Sequence, residues 1–191
     1  KKITDKVSDK LTHFLRYKND GIMISSKTLN IDNPRLSCRL KGYEKFSPKR
    51  IILDKYLEIK LSSKIFKSSK KGNTIIFHNS SNISKSKVLR KKGIILIKFK
   101  LNKEKNFNLK SILKSLYILG INNLLVEGGD GITKNLLKKG LINQFYLFKS
   151  PNNLPNNKKK QIFTSANILR KYGNRTKVSS KLAKDTITIY K

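Results

Sequence analysis

The sequence predicts an α/β fold, in which a sheet carries helices on its faces. Two observations indicate this class. Apolar strand-like runs alternate with helix-like segments along the chain, and one of the strand-like runs ends in a carboxylate followed by glycines. Such alternation is typical of sheets covered by helices. A chain of 191 residues is long enough to bury a core, and we expect residues 1–191 to form a single domain.

The first predicted element is an amphipathic helix from about Lys6 to Tyr17, because apolar residues recur there at helical spacing. The predicted strands are short apolar runs, several of them bounded by proline, aspartate or glycine. They cover Gly21–Ser25, Arg50–Leu53, Asn73–His78, Ile94–Phe99, the run to Val126, Gln144–Phe148 and Thr186–Tyr190.

Further helices are predicted between these strands. A polar helix is expected around Ser84–Lys91. A stronger apolar stripe from Leu109 to Tyr117 ends at Gly120, a residue type common after helix C-termini. Another helix passes through Leu136 and Leu137, whereas residues 151–160 are rich in Asn, Pro and Lys and predict a loop.

The composition excludes several classes of protein. Hydrophobic residues make up 37% of the chain, no apolar run approaches the length of a membrane span, and the first ten residues lack a signal-peptide core. A single cysteine, Cys38, excludes an internal disulfide, and one cysteine with two histidines argues against a Cys/His zinc site. We therefore expect a cytoplasmic protein with no metal and no membrane contact.

The formal net charge of +33 raises the alternative of a basic nucleic-acid-binding domain. The basic residues are mostly Lys, scattered through every segment among abundant Asn and Ile, as an AT-rich coding sequence produces. Arg, which is preferred for bidentate contacts to phosphates and bases, is scarce. We interpret the charge as a solvated surface and expect no specific nucleic-acid partner.

A carboxylate and three glycines follow the strand that ends at Val126. Glu127 stands at the strand tip, and glycines occupy positions 128, 129 and 131 before the next helix. Ligands of α/β sheets bind at the carboxyl ends of strands, where helix N-termini and bare backbone amides meet them. Glycines there let a phosphate or a nicotinamide approach the main chain. Glu127 is therefore predicted to be the polar group that faces the ligand.

A second cluster lies in the first forty residues and comprises Arg16, Thr28, Asp32–Leu36 and Arg39. The residue before a proline is disfavoured in the helical region, so the Asp-Asn-Pro run predicts a loop. Two arginines and an aspartate on such a loop suit a phosphorylated, hydroxyl-bearing substrate. An Asx turn with two surface arginines is the alternative interpretation.

Taken in order, these segments resemble the reductase domain of the bifunctional deaminase/reductase of bacterial riboflavin biosynthesis. The resemblance covers nearly the whole chain. It runs through Ile3-Thr4, His13–Arg16, Thr28, Asp32–Leu36, Arg39, Pro48–Asp54, Ser63–Phe66 and Leu124–Gly129.

The resemblance implies a dihydrofolate-reductase-like three-layer fold with a central mixed, mostly parallel sheet flanked by helices. It also implies NADPH-dependent reduction of the ribosyl group of 5-amino-6-(5-phosphoribosylamino)uracil to the ribityl form. A reductase of the same fold that acts on another small heterocycle is an alternative, because fold does not fix the substrate.

Residue by residue, the resemblance implies that the substrate contacts Arg16, Leu36, Arg39 and Glu127. The residues that it places against NADPH are Thr28, Asp32, Lys55, Gly129, Asp130, Gly131, Ile132 and Thr133. Hydride transfer depends mainly on the positioning of the two reactants. Asp32 is the candidate for a catalytic proton relay, with turn formation as its alternative role.

Several departures from the family pattern bear on these expectations. The family's first strand, with a Ser-Leu-Asp-Gly run, is expected to be missing from residues 1–191, as are the His-x-Glu and Pro-Cys signatures of the deaminase. A zinc deaminase domain would then be fused to this chain or paired with it, and the family implies a homodimer or a larger assembly. Asp130 stands where proline is usual, and Lys55 could compensate for its charge.

Overall fold

The computed structural model describes residues 5–151, 169, 172–178 and 184–191. The chain divides into two compact units, one of residues 14–129 and the other of residues 1–13 and 130–191. Whether they act as the single domain expected from the sequence stays a prediction. The loop predicted for residues 151–160 lies, beyond Pro151, outside the described residues.

The unit of residues 14–129 contains a five-stranded parallel sheet with the strand order β4-β3-β2-β1-β5. Its strands are β1 (Gly21–Ser25), β2 (Lys49–Leu53), β3 (Thr74–His78), β4 (Ile95–Lys98) and β5 (Leu124–Val126). All five begin and end within two residues of the predicted runs. Because every pair is parallel, the carboxyl ends of the strands share one edge of the sheet.

Six helices have bounds within the described residues. They are α1 (Lys6–Lys18), α2 (Ser26–Asp32), α3 (Lys64–Lys67), α4 (Ile83–Lys91), α5 (Leu109–Ile118) and α6 (Asp130–Lys138). Four of them begin at a side-chain cap: the side chains of Asp5, Ser25, Asn82 and Asn108 accept a backbone N–H from the first turn of α1, α2, α4 and α5, respectively. Such caps satisfy amides that have no partner within the helix.

The core of this unit lies on both faces of the sheet. On one face Ile22, Ile52 and Ile76 belong to a buried cluster that also takes in Leu29 of α2. Residues that alternate with them along the strands, such as Ile51, are equally buried. Burial on both faces explains why these strands are continuous apolar runs and do not alternate between apolar and polar residues.

The other unit holds a separate antiparallel sheet of β6 (Phe145–Lys149), β8 (Thr186–Tyr190) and β7 (Arg175–Val178), with β8 in the middle. The predicted strands of Gln144–Phe148 and Thr186–Tyr190 are confirmed. The α/β class is confirmed as well, with the parallel and the antiparallel strands in different sheets.

Four elements were not predicted, and the shortest is a 3-10 turn of three residues at Glu44–Phe46. The α2 segment buries only Leu29 and has no apolar stripe in the sequence. It ends at Asp32, so the loop predicted for the Asp-Asn-Pro run begins one residue later, at Asn33, which caps the helix with φ 44°. The α3 helix is only four residues long. All four residues of β7 are exposed, and without a buried face they leave no apolar pattern in the sequence.

Asp5 ties the start of α1 to the last strand of its unit. One carboxylate oxygen accepts the Ser8 N–H at 2.7 Å, and the other accepts the N–H groups of Lys184 at 2.7 Å and Asp185 at 3.2 Å. The Asp5 N–H in turn donates to the Asp185 carboxylate at 2.9 Å. The bond from the Ser8 backbone and those from Asp185 and Lys184 lower the pKa of Asp5 from 3.8 to about 2.

We expect Asp5→Asn to lower the melting temperature at neutral pH. Because the folded state depresses the pKa of Asp5, its stabilisation is complete above 3.8, the value for the unfolded chain, and is lost as the pH falls toward about 2. Thermal unfolding of the parent and Asp5→Asn across the acidic range should therefore show a difference that shrinks with falling pH. Glu58→Gln, at an exposed carboxylate, is the control. A difference that stays constant with pH would contradict this role.

Candidate active site

An ion pair at the tip of β5 is the centre of the candidate site. The Arg16 Nε donates to Glu127 Oε1 at 2.7 Å, and Arg16 Nη2 donates to Glu127 Oε2 at 2.7 Å. The side chains are only 10% and 24% exposed. Two parallel charge-assisted bonds fix both the position and the plane of the carboxylate. Helix α1 and strand β5 thus deliver two of the predicted substrate residues to the same place.

The main chain holds both partners in place. The Glu127 N–H donates to the Met23 carbonyl at 3.1 Å, which extends the pairing of β5 with β1 by one residue. Arg16 uses its remaining terminal nitrogen, Nη1, to donate to the Ser37 carbonyl at 3.1 Å. All three guanidinium nitrogens therefore have partners, and the Arg16 side chain joins β5 to the loop after α2.

Two hydroxyl groups lie beside the glycine turn that follows Glu127. Ser25 Oγ accepts the Thr28 N–H at 3.1 Å and lies 3.0 Å from Thr28 Oγ1. A Cβ at Gly129 would stand 3.0 Å from Thr28 Oγ1 and 3.5 Å from Ser25 Oγ. Gly128 and Gly129 have φ of 79° and 77°, a region that glycine adopts without strain.

Thr28 and Gly129, both predicted to contact the cofactor, therefore lie next to each other. Ser25 was not among the predicted site residues, although the Ser25-Ser-Lys-Thr28 run carries the signal of an N-cap residue.

The loop after α2 places its predicted residues differently. Leu36 has φ 54° and is only 1% exposed, with its side chain in the core cluster, so it offers almost no surface to a substrate. Asp32 and Arg39 are both exposed. The Asn33 side-chain oxygen accepts the Lys64 N–H at 2.8 Å, a long-range contact and not the local bond of an Asx turn. The roles assigned to Asp32, Leu36 and Arg39 stay predictions.

Lys55 follows the carboxyl end of β2 and donates from Nζ to the Asn106 side-chain oxygen at 2.8 Å. This contact fixes the amine at the edge where the parallel strands end. Asp130, Gly131, Ile132 and Thr133 form the first turn of α6, in the other unit. Asp130 is placed favourably for the helix dipole. The cofactor roles of all five residues stay predictions.

His78, at the carboxyl end of β3, is 5% exposed, and its Nδ1 has no hydrogen-bond partner. Burial lowers the pKa of its imidazole, and the charges of Lys98 and Arg90 lower it further against the opposing effects of the Ser80 backbone and Asp54. A neutral imidazole near pH 7 follows. Within residues 5–151 and the described parts beyond them, no group of three or more His, Cys, Asp or Glu could hold a metal ion.

Comparisons with known proteins identify the family of this chain. The RibD C-terminal domain family matches residues 1–188. The riboflavin biosynthesis protein RibD of Aquifex aeolicus is 36% identical over 149 residues, which are 78% of this chain and 40% of that protein. The 2,5-diamino-6-ribosylamino-4(3H)-pyrimidinone 5′-phosphate reductase of Debaryomyces hansenii is 31% identical over 147 residues, 71% of this chain and 60% of the relative.

Among solved structures, RibD of Acinetobacter baumannii superimposes with a TM-score of 0.75 at 18% sequence identity, over 100% of this chain and 51% of that one. This chain thus spans about half or less of the length of these RibD proteins. None of the helices among the described residues has the length and apolar character needed to cross a membrane. The match over residues 1–188 is decisive: this chain belongs to the RibD C-terminal domain family.

Proposed function

We propose that this chain reduces the ribosyl group of 5-amino-6-(5-phosphoribosylamino)uracil to the ribityl form, with NADPH as the reductant. The observation that carries the proposal is the Arg16–Glu127 pair beside the glycine turn, in a chain whose relatives include a named ribosylaminopyrimidinone phosphate reductase. Family membership favours this activity over the nucleic-acid alternative that the net charge suggested.

The strand tips fit a nucleotide cofactor. A side chain at Gly129 would fill the space beside Thr28 Oγ1 and Ser25 Oγ. Because glycine leaves this space open, it is lined by the backbone of the glycine turn and by two hydroxyl groups. Such a lining suits a nicotinamide or a phosphate group. When bound, NADPH would supply a hydride to C1′ of the ribosyl group, whose ring oxygen leaves C1′ and takes a proton.

The residues of the chain would bind and orient the substrate. The Glu127 carboxylate, held by Arg16, can accept hydrogen bonds from N–H or O–H groups of the pyrimidine or the sugar. The exposed Arg39 guanidinium suits the 5′-phosphate. Asp32, exposed at the end of α2, is the proposed proton relay.

A turnover assay with NADPH tests the proposed function. The polypeptide that carries these residues should oxidise NADPH when given the phosphoribosylaminouracil, and the product should contain a ribityl chain. The corresponding 2,5-diaminopyrimidinone tests the same-fold alternative, and the ratio of the two kcat/KM values identifies the preferred substrate. Absence of NADPH oxidation with either compound would reject a reductase of this class.

Gly129→Ala should raise the KM for NADPH more than Gly128→Ala does. Both positions have left-handed φ, so both variants share the backbone strain, of the order of 1 kcal/mol. Only a Cβ at position 129 crowds a hydroxyl, at 3.0 Å from Thr28 Oγ1, whereas at 128 the nearest atom is Thr28 Cγ2 at 3.8 Å. Steady-state kinetics with varied NADPH give the comparison. Equal effects of the two variants would argue against cofactor binding at this turn.

Two further proposals concern the partners of this chain and its location. This chain matches 40% of the Aquifex RibD protein, which leaves room for a deaminase domain fused to it or paired with it. We also propose a homodimer or larger assembly, in the cytoplasm, where the buried Cys38 would stay reduced.

A further inference from the structure

Three aromatic side chains form a cluster on the surface beside the candidate site, here named the ring cluster. Tyr17 of α1 contacts Tyr43 with ring centroids 4.9 Å apart and Phe46 at 5.8 Å, both edge to face, and Tyr43 contacts Phe46 at 6.3 Å. Tyr43 and Phe46 remain 45% and 49% exposed. These rings are therefore not part of the buried core, and their contacts need another explanation.

The ring cluster joins helix α1 to the α2–β2 loop, residues 33–48. Apart from a single 3-10 turn at Glu44–Phe46, this loop has no helix or strand that could hold its shape. Near its start, Leu36 is buried in the core and the Ser37 carbonyl accepts the bond from Arg16. Near its end, the loop is attached to α1 through the ring cluster. Arg39 lies between these two attachments.

Hydrogen bonds within the loop connect the two attachments. The Cys38 N–H donates to Ser47 Oγ at 3.1 Å, and the Ser47 hydroxyl donates to the Glu44 carbonyl at 2.8 Å. The Tyr43 N–H donates to the Leu40 carbonyl at 2.9 Å. A displacement of the rings would therefore shift Cys38 and Leu40, the two residues on either side of Arg39.

We propose that the ring cluster positions the substrate-binding loop. It holds the α2–β2 loop against α1, so that Arg39 and the Ser37 carbonyl keep fixed places relative to the Arg16–Glu127 pair. Tyr43 and Phe46 are therefore positioning residues for the phosphorylated substrate, and they act through the backbone of the loop. This inference rests on the proposed function for the identity of the substrate.

The physical reason is the cost of ordering a loop on binding. A loop that is already held loses little conformational freedom when a phosphate binds, whereas a free loop must be ordered at that moment. Contacts between aromatic rings are strong enough to shift this balance. Tyr43→Ala and Phe46→Ala would each lose one edge-to-face contact with Tyr17 and the tilted contact between Tyr43 and Phe46, and this loss should weaken substrate binding by about tenfold. Tyr43 and Phe46 make these ring contacts with each other and with Tyr17, and not with the glycine turn after β5, so NADPH binding should not change.

The test compares Tyr43→Ala and Phe46→Ala with Tyr43→Phe, which keeps the ring, and with Tyr117→Ala, an aromatic residue on α5 that is 69% exposed. The two loop variants should raise the KM for the phosphoribosylaminouracil by about tenfold, with kcat and the KM for NADPH within about twofold of the parent. Tyr43→Phe and Tyr117→Ala should behave like the parent.

Calorimetric binding of ribose 5-phosphate provides a second measurement that needs no turnover. Its affinity should fall by about tenfold in Tyr43→Ala and Phe46→Ala alone. If the parent protein binds ribose 5-phosphate but reduces no pyrimidine, the proposed function is rejected. The affinities of the two variants for ribose 5-phosphate then still test the role of the ring cluster. Unchanged affinity and KM in both variants, a parallel rise in the KM for NADPH, or a parent that binds no ribose 5-phosphate would overturn the proposal.

Discussion

Glu127→Gln should lower kcat/KM for the proposed pyrimidine substrate by about 100-fold, because hydrogen bonds to charged groups contribute about 1.5–3 kcal/mol each. The Glu127 carboxylate accepts two bonds of 2.7 Å from Arg16. An amide keeps one of these acceptors, and its NH₂ group then faces a guanidinium N–H. The variant therefore loses both the charge presented to the substrate and the fixed plane of the carboxylate.

Arg16→Lys tests the same pair from the other side. Lysine retains the positive charge but cannot form the two parallel bonds, nor reach the Ser37 carbonyl at the same time. We therefore expect Arg16→Lys to lower kcat/KM as well. Glu58→Gln, at an exposed carboxylate outside the site, is the control for a change of charge. Activity of Glu127→Gln within about threefold of the parent would remove the pair from the mechanism.

Asp54→Ala should lower the free energy of unfolding by about 3 kcal/mol, which corresponds to a fall in Tm of roughly 6–12 °C for a chain of this size. Asp54 is fully buried after the end of β2. Its two carboxylate oxygens accept the Glu58 N–H at 2.9 Å and the Ile59 N–H at 3.0 Å. Alanine would leave both amides without these partners, and the Ile59 amide is buried away from water.

Asp20 offers a matched control, because it makes the same kind of contact at the surface. One of its oxygens accepts the N–H groups of Asn122 and Asn123 at 3.0 and 2.8 Å, but the residue is exposed. Water can replace the acceptor there, so Asp20→Ala should cost only about 1 kcal/mol. Thermal and urea unfolding of both variants give the comparison. Equal losses would show that burial does not set the cost at Asp54.

The parallel sheet could be predicted from sequence because its strands are buried on both faces. Runs such as Gly21–Ser25 have no polar interruption, and their bounds in the structure agree with the prediction. The α2 helix could not be predicted in the same way, since its stability comes from the Ser25 cap and one buried leucine and not from an apolar stripe. The exposed strand β7 exists only through its pairing with β8, a long-range contact that local patterns do not encode.

The candidate site was predictable in its residue types but not in its contacts. The strand-tip rule singled out Glu127, and the resemblance singled out Arg16, yet nothing in the sequence showed that these two side chains bind each other across 111 positions. Leu36 was assigned to the substrate, whereas its side chain lies in the core. The backbone at Leu36 has positive φ, and no residue-type preference of leucine signals that conformation.

The strand order also sets the sequence in which the site can assemble. Strands β2, β3 and β4 each pair with the strand before them in the chain, so they can join the sheet as synthesis proceeds. Strand β5 must return to β1, where Leu124 aligns with Gly21. Contacts between residues so distant along the chain form slowly. We therefore expect the Arg16–Glu127 pair to close last, so that ligand binding in a refolding experiment reports completion of the sheet.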